Sequence, residues 1–243
     1  MRVQSDAPWV QVADGLHVRG VNLPLSLRDF RVIAFDMDST LIASETVNEL
    51  AELTGKNEQI AAMTRAAMQG ANVEFAQNLR ARLALLEGVP ESLLAKVRDE
   101  HMPLTDGVEA LLAACRSHGL HCVAITGGFT FFADSLIERL GLDEIHANVL
   151  ELNDGVFTGK VLTQPGKPFV DAEGKRQRLV EVCERLGVSM QQAIAVGDGA
   201  NDVPMLAAAG LGVAFGGKPV LHDAANVRID SGGLDRLLEL FAD

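Results

Sequence analysis

Val32-Ile33-Ala34-Phe35 is an apolar run with a charge at each end, Arg31 and Asp36, the pattern of a short strand buried in a sheet. Comparable runs stand at 121–125, 193–196, 211–214 and 227–229. Around them the apolar positions recur at helical spacing over 108–117, 130–140, 174–186, 202–208, 219–225 and 234–241. Asp106, with Glu109 three positions on, predicts an N-cap with its reciprocal partner for the first of these helices. Strands alternating with helices imply an α/β fold: a doubly wound, mostly parallel sheet with helices on both faces.

Two stretches break the alternation. From Glu45 to about Val97 the period is helical throughout, and His101-Met102-Pro103-Leu104 separates this block from the alternating region beyond it. It predicts a helical cap over 45–104 inserted after the first core strand, with a catalytic core formed by 31–44 and 105–243. Residues 1–30 hold two short alternating runs, 9–12 and 16–19, around Asp14-Gly15, an extension expected to make a hairpin and too small for a domain. Another hairpin is expected around Asn153-Asp154-Gly155.

Composition narrows the choice of function. With 243 residues, 48% of them hydrophobic, and a mean hydropathy of +0.16, the chain has ample material for a core. A formal charge of −12 argues against nucleic acid or an anionic membrane as partner, because either needs a basic face. No basic-then-apolar signal opens the chain and no run approaches the length of a membrane span, so a cytoplasmic protein is expected. Cys115, Cys122 and Cys183 lie scattered in apolar segments and read as buried free thiols. The histidines form no HxxxH pair, which argues against a zinc hydrolase.

Candidate chemistry collects behind the strands. Asp36-Met37-Asp38-Ser39-Thr40 directly follows the 32–35 run, where α/β enzymes place their reactive groups. Two carboxylates this close at a buried strand end are unfavourable unless a cation or donors compensate, so a bound metal is implied, and one of the two can serve as a nucleophile. Behind 193–196 comes Gly197-Asp198-Gly199-Ala200-Asn201-Asp202, a set of hard oxygen donors that favours magnesium over zinc. Thr126-Gly127-Gly128 offers a hydroxyl and backbone N–H groups at the opening of a helix, a geometry for holding phosphate. Lys175 opens the next helical stretch and can add a positive charge. A lone DxD is usually a solvated loop and a lone TGG a turn, but three such strand-end loops in this order, with a lysine before the last, form a constellation.

On these motifs the chain resembles the haloacid-dehalogenase-like phosphatases, whose four motifs match Asp36 to Thr40, Thr126-Gly127-Gly128, Lys175, and Gly197 to Asp202. Within that superfamily it is similar to the phosphoserine phosphatase family through Phe35 to Thr46, Met68-Gln69-Gly70, Phe75 to Arg82, Thr126 to Phe129 and Val196 to Asp202. The similarity runs from about Arg31 to the end and does not cover 1–30.

The resemblance implies a small-molecule substrate, O-phospho-L-serine, hydrolysed to L-serine and phosphate as the last step of serine biosynthesis. Asp36 would attack phosphorus, and Asp38 would act as general acid and then general base. Magnesium would be held by the Asp36 side chain, the Asp38 backbone carbonyl and Asp198, with Asp202 in the outer shell and Asn201 orienting metal-bound water and touching substrate. Thr126, Gly127 and Gly128 would bind phosphoryl oxygens, and Lys175, chosen over Lys160 and Lys167 by its spacing to Asp198, would stabilise charge. Phe75, Leu79, Arg82 and Leu86 share one helical stripe, so by residue type alone Arg82 either snorkels or meets a buried anion. The resemblance makes Arg82 the clamp for the substrate carboxylate, Glu45 the acceptor of its ammonium, and Met68 and Phe75 apolar walls. The same machinery also suits another small phosphomonoester, or phosphoryl transfer to an alcohol such as homoserine. A phospho-aspartate signalling receiver uses similar groups but is about half this length and has no helical cap. Monomer and homodimer are both compatible with the sequence.

Overall fold

The computed structural model describes residues 7–68 and 75–242, the side chains of 64–68 and of 75 excepted. In chain order the elements are β1 (Val10–Ala13), β2 (Leu16–Val18), β3 (Val32–Phe35), α1 (Thr46–Leu53), α2 (Asn57–Met68), α3 (Phe75–Ala84), α4 (Glu91–Glu100), α5 (Val108–Ser117), β4 (His121–Phe129), α6 (Thr130–Ala133), α7 (Ser135–Leu140), β5 (Glu144–Asn153), β6 (Val156–Leu162), α8 (Ala172–Leu186), β7 (Ala193–Gly197), α9 (Val203–Ala208), β8 (Leu211–Phe215) and β9 (Val227–Ile229). The strands form one sheet in the order β1-β2-β9-β8-β7-β3-β4-β5-β6. From β9 to β5 all neighbours are parallel, while the leading hairpin and β6 add antiparallel edges.

Strict alternation along the central strands divides the core in two. Ile33 and Phe35 pack with Cys122, Ala124, Ile194 and Val196 beneath α5 and the C-terminal segment, whereas Val32 and Ala34 pack with Val123, Ile125, Ala193 and Ala195 beneath α8 and α9. A central strand covered on both faces has no polar side, which is why these runs are uniformly apolar. All three cysteines are free and buried, and burial raises their thiols to about 12, 12 and 11 in chain order.

The hairpin between β5 and β6 turns at Asp154 and Gly155, both with positive φ (49° and 74°), the two-residue turn that suits strand twist. Its tip reaches the helices inserted after β3. Phe157 N–H donates to Val89 O (2.8 Å), Gly88 N–H to Phe157 O (2.9 Å) and Glu91 N–H to Gly155 O (2.8 Å). The helical insertion is therefore tied to the sheet by backbone hydrogen bonds far from its own connection.

Several predicted boundaries are corrected. Gly107, in the left-handed conformation at φ 76°, is the N-cap of α5 in place of Asp106, whose carbonyl is used by Leu234 N–H (2.8 Å). The 130–140 helix is divided at Asp134, where the Ser135 hydroxyl donates to Phe132 O (2.7 Å) and competes with the helical ladder. The stretch at 219–225 contains only a 3₁₀ turn, Pro219–Leu221, and 234–241 is a 3₁₀ segment, Leu234–Leu240. Residues 200–202 form a 3₁₀ turn ahead of α9. Asp171 caps α8 by accepting from Gly174 N–H (2.8 Å), so Lys175 stands one turn inside the helix and does not open it. Thr126-Gly127-Gly128 belongs to the end of β4, and the helix starts only at Thr130.

Candidate active site

The chain leaves β3 toward β4 on one side, and leaves β7 toward β8 on the other. Adjacent strands with diverging connections open a crevice beyond their carboxyl ends. Phe35 lies in register with Val196, and Asp36 N–H donates to Val196 O (3.0 Å), so the loops following the two strands face one another. This juxtaposition brings Asp36 beside Asp198 and Asp202, three buried carboxylates with ligand atoms within 4.8 Å of one another.

The loop after β3 winds around one carbonyl: Thr40, Leu41 and Ile42 N–H groups all point to Met37 O, at 3.2, 2.9 and 3.1 Å. Met37, between the two aspartates in sequence, is fully buried and anchors the loop. Ser39 has φ 56°, uncommon for a residue with a Cβ, and its hydroxyl donates to Glu45 Oε1 (2.6 Å). The Asp38 carboxylate accepts from Thr46 N–H (2.8 Å) at the start of α1. Burial, then the charge of Glu45, pushes Asp38 up to about 8 despite that hydrogen bond. The carboxyl is thus protonated near neutral pH, the form a general acid requires.

Lys175 is fully buried with Nζ 2.7 Å from Asp36 Oδ2 and 2.7 Å from Asp202 Oδ1. Burial works to lower its pKa, but Asp202 and Asp36 outweigh this and hold the ammonium more firmly protonated than an ordinary lysine. The other Asp202 oxygen accepts from Asp198 N–H (3.1 Å) and Gly199 N–H (3.0 Å). Asp202 is thereby committed to shaping the loop and orienting Lys175. A Cβ at Gly197 would lie 2.3 Å from Asp202 Cγ, so only glycine admits this side chain.

A cavity of ≈ 160 Å³ opens onto Asp36, Asp38, Thr126, Gly127, Gly128 and Asp198 from below, and onto Glu45, Leu79 and Arg82 from the inserted helices, with Asn201 and Lys218 at its side. Lys175 and Asp202 lie behind Asp36. Met68 and Phe75, expected as pocket walls, end α2 and begin α3, and their side chains fall outside the described residues. The Thr126 hydroxyl accepts from Gly128 N–H (2.9 Å). A Cβ at Gly128 would approach Met37 Cε to 2.9 Å, Thr126 Oγ1 to 3.1 Å and Asp38 Oδ2 to 3.2 Å, so the cradle requires glycine there. Arg82 Nε is buried and has no hydrogen-bond partner among the described residues. Burial lowers the Arg82 pKa, while Glu45 and Asp38 act in the opposite sense.

Two residues of this region were not among the sequence candidates. Lys218, on the turn after β8, forms an ion pair with Asp198 Oδ2. The only signal for it was Gly216-Gly217, two consecutive positive-φ glycines that swing the chain back over the crevice. Asn148 is a buried amide in an otherwise apolar stretch of β5, hydrogen-bonded to Gly127 O.

The sequence model of the haloacid dehalogenase-like hydrolases matches residues 33–207. A phosphoserine phosphatase from Albidiferax ferrireducens is 48% identical over 95% of this chain and 97% of its own, and one from a Polaromonas species is 46% identical over 95% and 98%. A phosphoserine phosphatase solved as a phospho-aspartyl intermediate analogue superposes with a TM-score of 0.80 at 33% identity, covering 88% of this chain and 99% of the other. The chain belongs to the haloacid dehalogenase-like hydrolase family, in the company of the phosphoserine phosphatases.

Proposed function

We propose that the chain is a cytoplasmic, magnesium-dependent phosphatase that hydrolyses O-phospho-L-serine to L-serine and phosphate, the last step of serine biosynthesis. The observation that carries the substrate is the pairing, over one cavity, of Arg82, with a buried Nε lacking a partner among the described residues, and the carboxylate of Glu45. A molecule carrying a carboxylate and an ammonium on one carbon supplies the complement of both.

Asp36 attacks phosphorus, and the P–O bond to the seryl oxygen breaks as Asp38 delivers its proton to that oxygen. Asp38, now ionised, takes a proton from the water that hydrolyses the aspartyl phosphate, returning Asp36 as a carboxylate. Lys175 pairs with Asp36 Oδ2 while Met37 N–H donates to Asp36 Oδ1 (2.7 Å), which fixes the carboxylate, and the ammonium offsets the charge that nucleophile and phosphoryl group bring together. Thr126 and the Gly127 N–H receive the phosphoryl oxygens, and Asn201 stands beside them on the cavity wall.

The carboxylates of Asp36 and Asp198, with the Asp38 carbonyl, form an oxygen-only donor set that suits magnesium, and Asp202 orients the loop around them. When bound, the ion neutralises the repulsion between nucleophile and phosphate. We assign residues 45–104 the role of a substrate-selecting cap. Phosphate release from a panel of phosphomonoesters, with and without magnesium, tests the proposal: a preference for phosphoserine supports it, and full activity after exhaustive chelation overturns the metal assignment.

A further inference from the structure

β4 and β5 run in parallel register from Val123↔Glu144 to Ile125↔His146, and then the pairing jumps to Phe129↔Asn148. Four residues of β4 are spanned where β5 advances by two. Thr126-Gly127-Gly128 thus stand opposite Ala147 alone, two residues in surplus, and this stretch bulges out of the ladder as the cradle described above. A bulge removes backbone partners, and a carbonyl stripped of its ladder bond inside a protein must find another donor. Gly127 O finds it in the Asn148 side chain, at 3.0 Å.

The second hydrogen of the same amide nitrogen goes to Val170 O (3.1 Å), and the amide oxygen accepts from Val170 N–H (2.9 Å). Asn148 thus imitates a backbone unit, pairing with both groups of Val170 as a neighbouring strand would. Val170 immediately precedes Asp171, the N-cap of α8, whose carbonyl accepts from Lys175 N–H (2.8 Å). One amide therefore joins the phosphate cradle on one side to the helix carrying Lys175 on the other. Asn148 is 1% exposed and Val170 2%, so water cannot replace these bonds without a rearrangement.

We infer that Asn148 is a positioning residue for the reaction: its side-chain amide keeps the Thr126–Gly128 bulge open for the phosphoryl group and in register with Lys175. This rests on the phosphatase reading, since it needs phosphate in the cradle. It does not require contact between Asn148 and substrate.

The test compares intact, magnesium-loaded wild type with Asn148→Asp and Asn148→Ala, measuring inhibition constants for the two products separately. Asn148→Asp keeps the shape and the acceptor for Val170 N–H but turns both donated bonds into oxygen–oxygen repulsion. The expected result is a rise of roughly tenfold or more in the constant for inorganic phosphate, a matching fall in kcat, and a change within about twofold for L-serine, which is held by the inserted helices. Equal weakening of both products, or unchanged phosphate inhibition with only a lower Tm, would overturn the inference and leave Asn148 a packing residue. Should neither variant fold, amide exchange on the wild type decides: the Val170 N–H is expected to exchange only through large-scale opening, and exchange as fast as an exposed loop refutes the clasp. A wild type that releases no phosphate from any phosphomonoester would sink the phosphatase reading instead, while the exchange result would still report on the clasp.

Discussion

Replacing Arg82 with alanine separates substrate selection from chemistry. In the structure the guanidinium lines the cavity, and its buried Nε has no partner among the described residues, so a substrate carboxylate arriving there gains a charge-assisted contact at that nitrogen. A bidentate contact of this kind in a partly desolvated pocket is worth on the order of 2–4 kcal/mol. At about 1.4 kcal/mol per factor of ten, kcat/KM for phosphoserine is expected to fall by roughly 30- to 1000-fold. Phosphoethanolamine lacks the carboxylate and keeps the ammonium and the phosphate, so it should lose much less from a lower starting value. Arg82→Lys should recover only part of the loss, because a point charge does not reproduce the planar fork. The assay is phosphate release with both substrates for wild type and both variants. Equal fold losses on the two substrates would refute the clamp and assign Arg82 to the packing or closure of the inserted helices.

Asp36→Asn should abolish turnover while the protein remains folded, and acid-stable trapping of a phosphorylated Asp36 in wild type, sought by rapid quench and borohydride reduction, should succeed. Lys175→Ala strands Asp36 and Asp202 as buried charges, so a destabilisation of about 3–5 kcal/mol is expected in the metal-free protein, read by denaturant melts; a loss under about 1 kcal/mol would contradict the pairing. Lys218→Gln frees Asp198 from a competing cation and should tighten magnesium binding in calorimetry, whereas weaker binding would show that Lys218 supports the metal site. Away from the site, Glu144 is held down to about 2, against the effect of its own burial, by hydrogen bonds from His146 and His121. Its folded pKa lies below the unfolded value, so its contribution is complete above about pH 4.5 and lost as the pH falls toward 2. The stability gap between wild type and Glu144→Gln should narrow over that window, and a gap independent of pH would rule out this linkage.

How far the sequence carries depends on whether the determining contact is local. Buried strands announce themselves as mostly apolar runs, and β3, β4, β7 and β8 stand where those runs do, as does the Asp154-Gly155 turn, because burial and left-handed backbone are constraints felt residue by residue. Asp36, Asp38, Thr126, Asp198 and Asp202 stood out as candidates for a related reason: each follows such an apolar run within a few residues. Element ends were misread wherever a distant segment supplied the partner. At α5 the cap falls on Gly107 and not on Asp106, whose carbonyl receives Leu234 N–H from more than a hundred positions away in sequence. The TGG motif looked like the mouth of a helix, but the mismatch in pairing with β5 keeps it within the strand as a bulge. Lys218 and Asn148 carry no periodic signal at all, since a lysine on a glycine turn and an amide among the apolar neighbours of β5 acquire meaning only from what lies opposite. Alternation along the chain thus settles the layers and the order of the central strands, and marks the strand-end carboxylates as candidates. Which carboxylate is shielded by which lysine, and what holds the cradle open, are settled by parallel register and by contacts between segments remote in sequence, which no local pattern encodes.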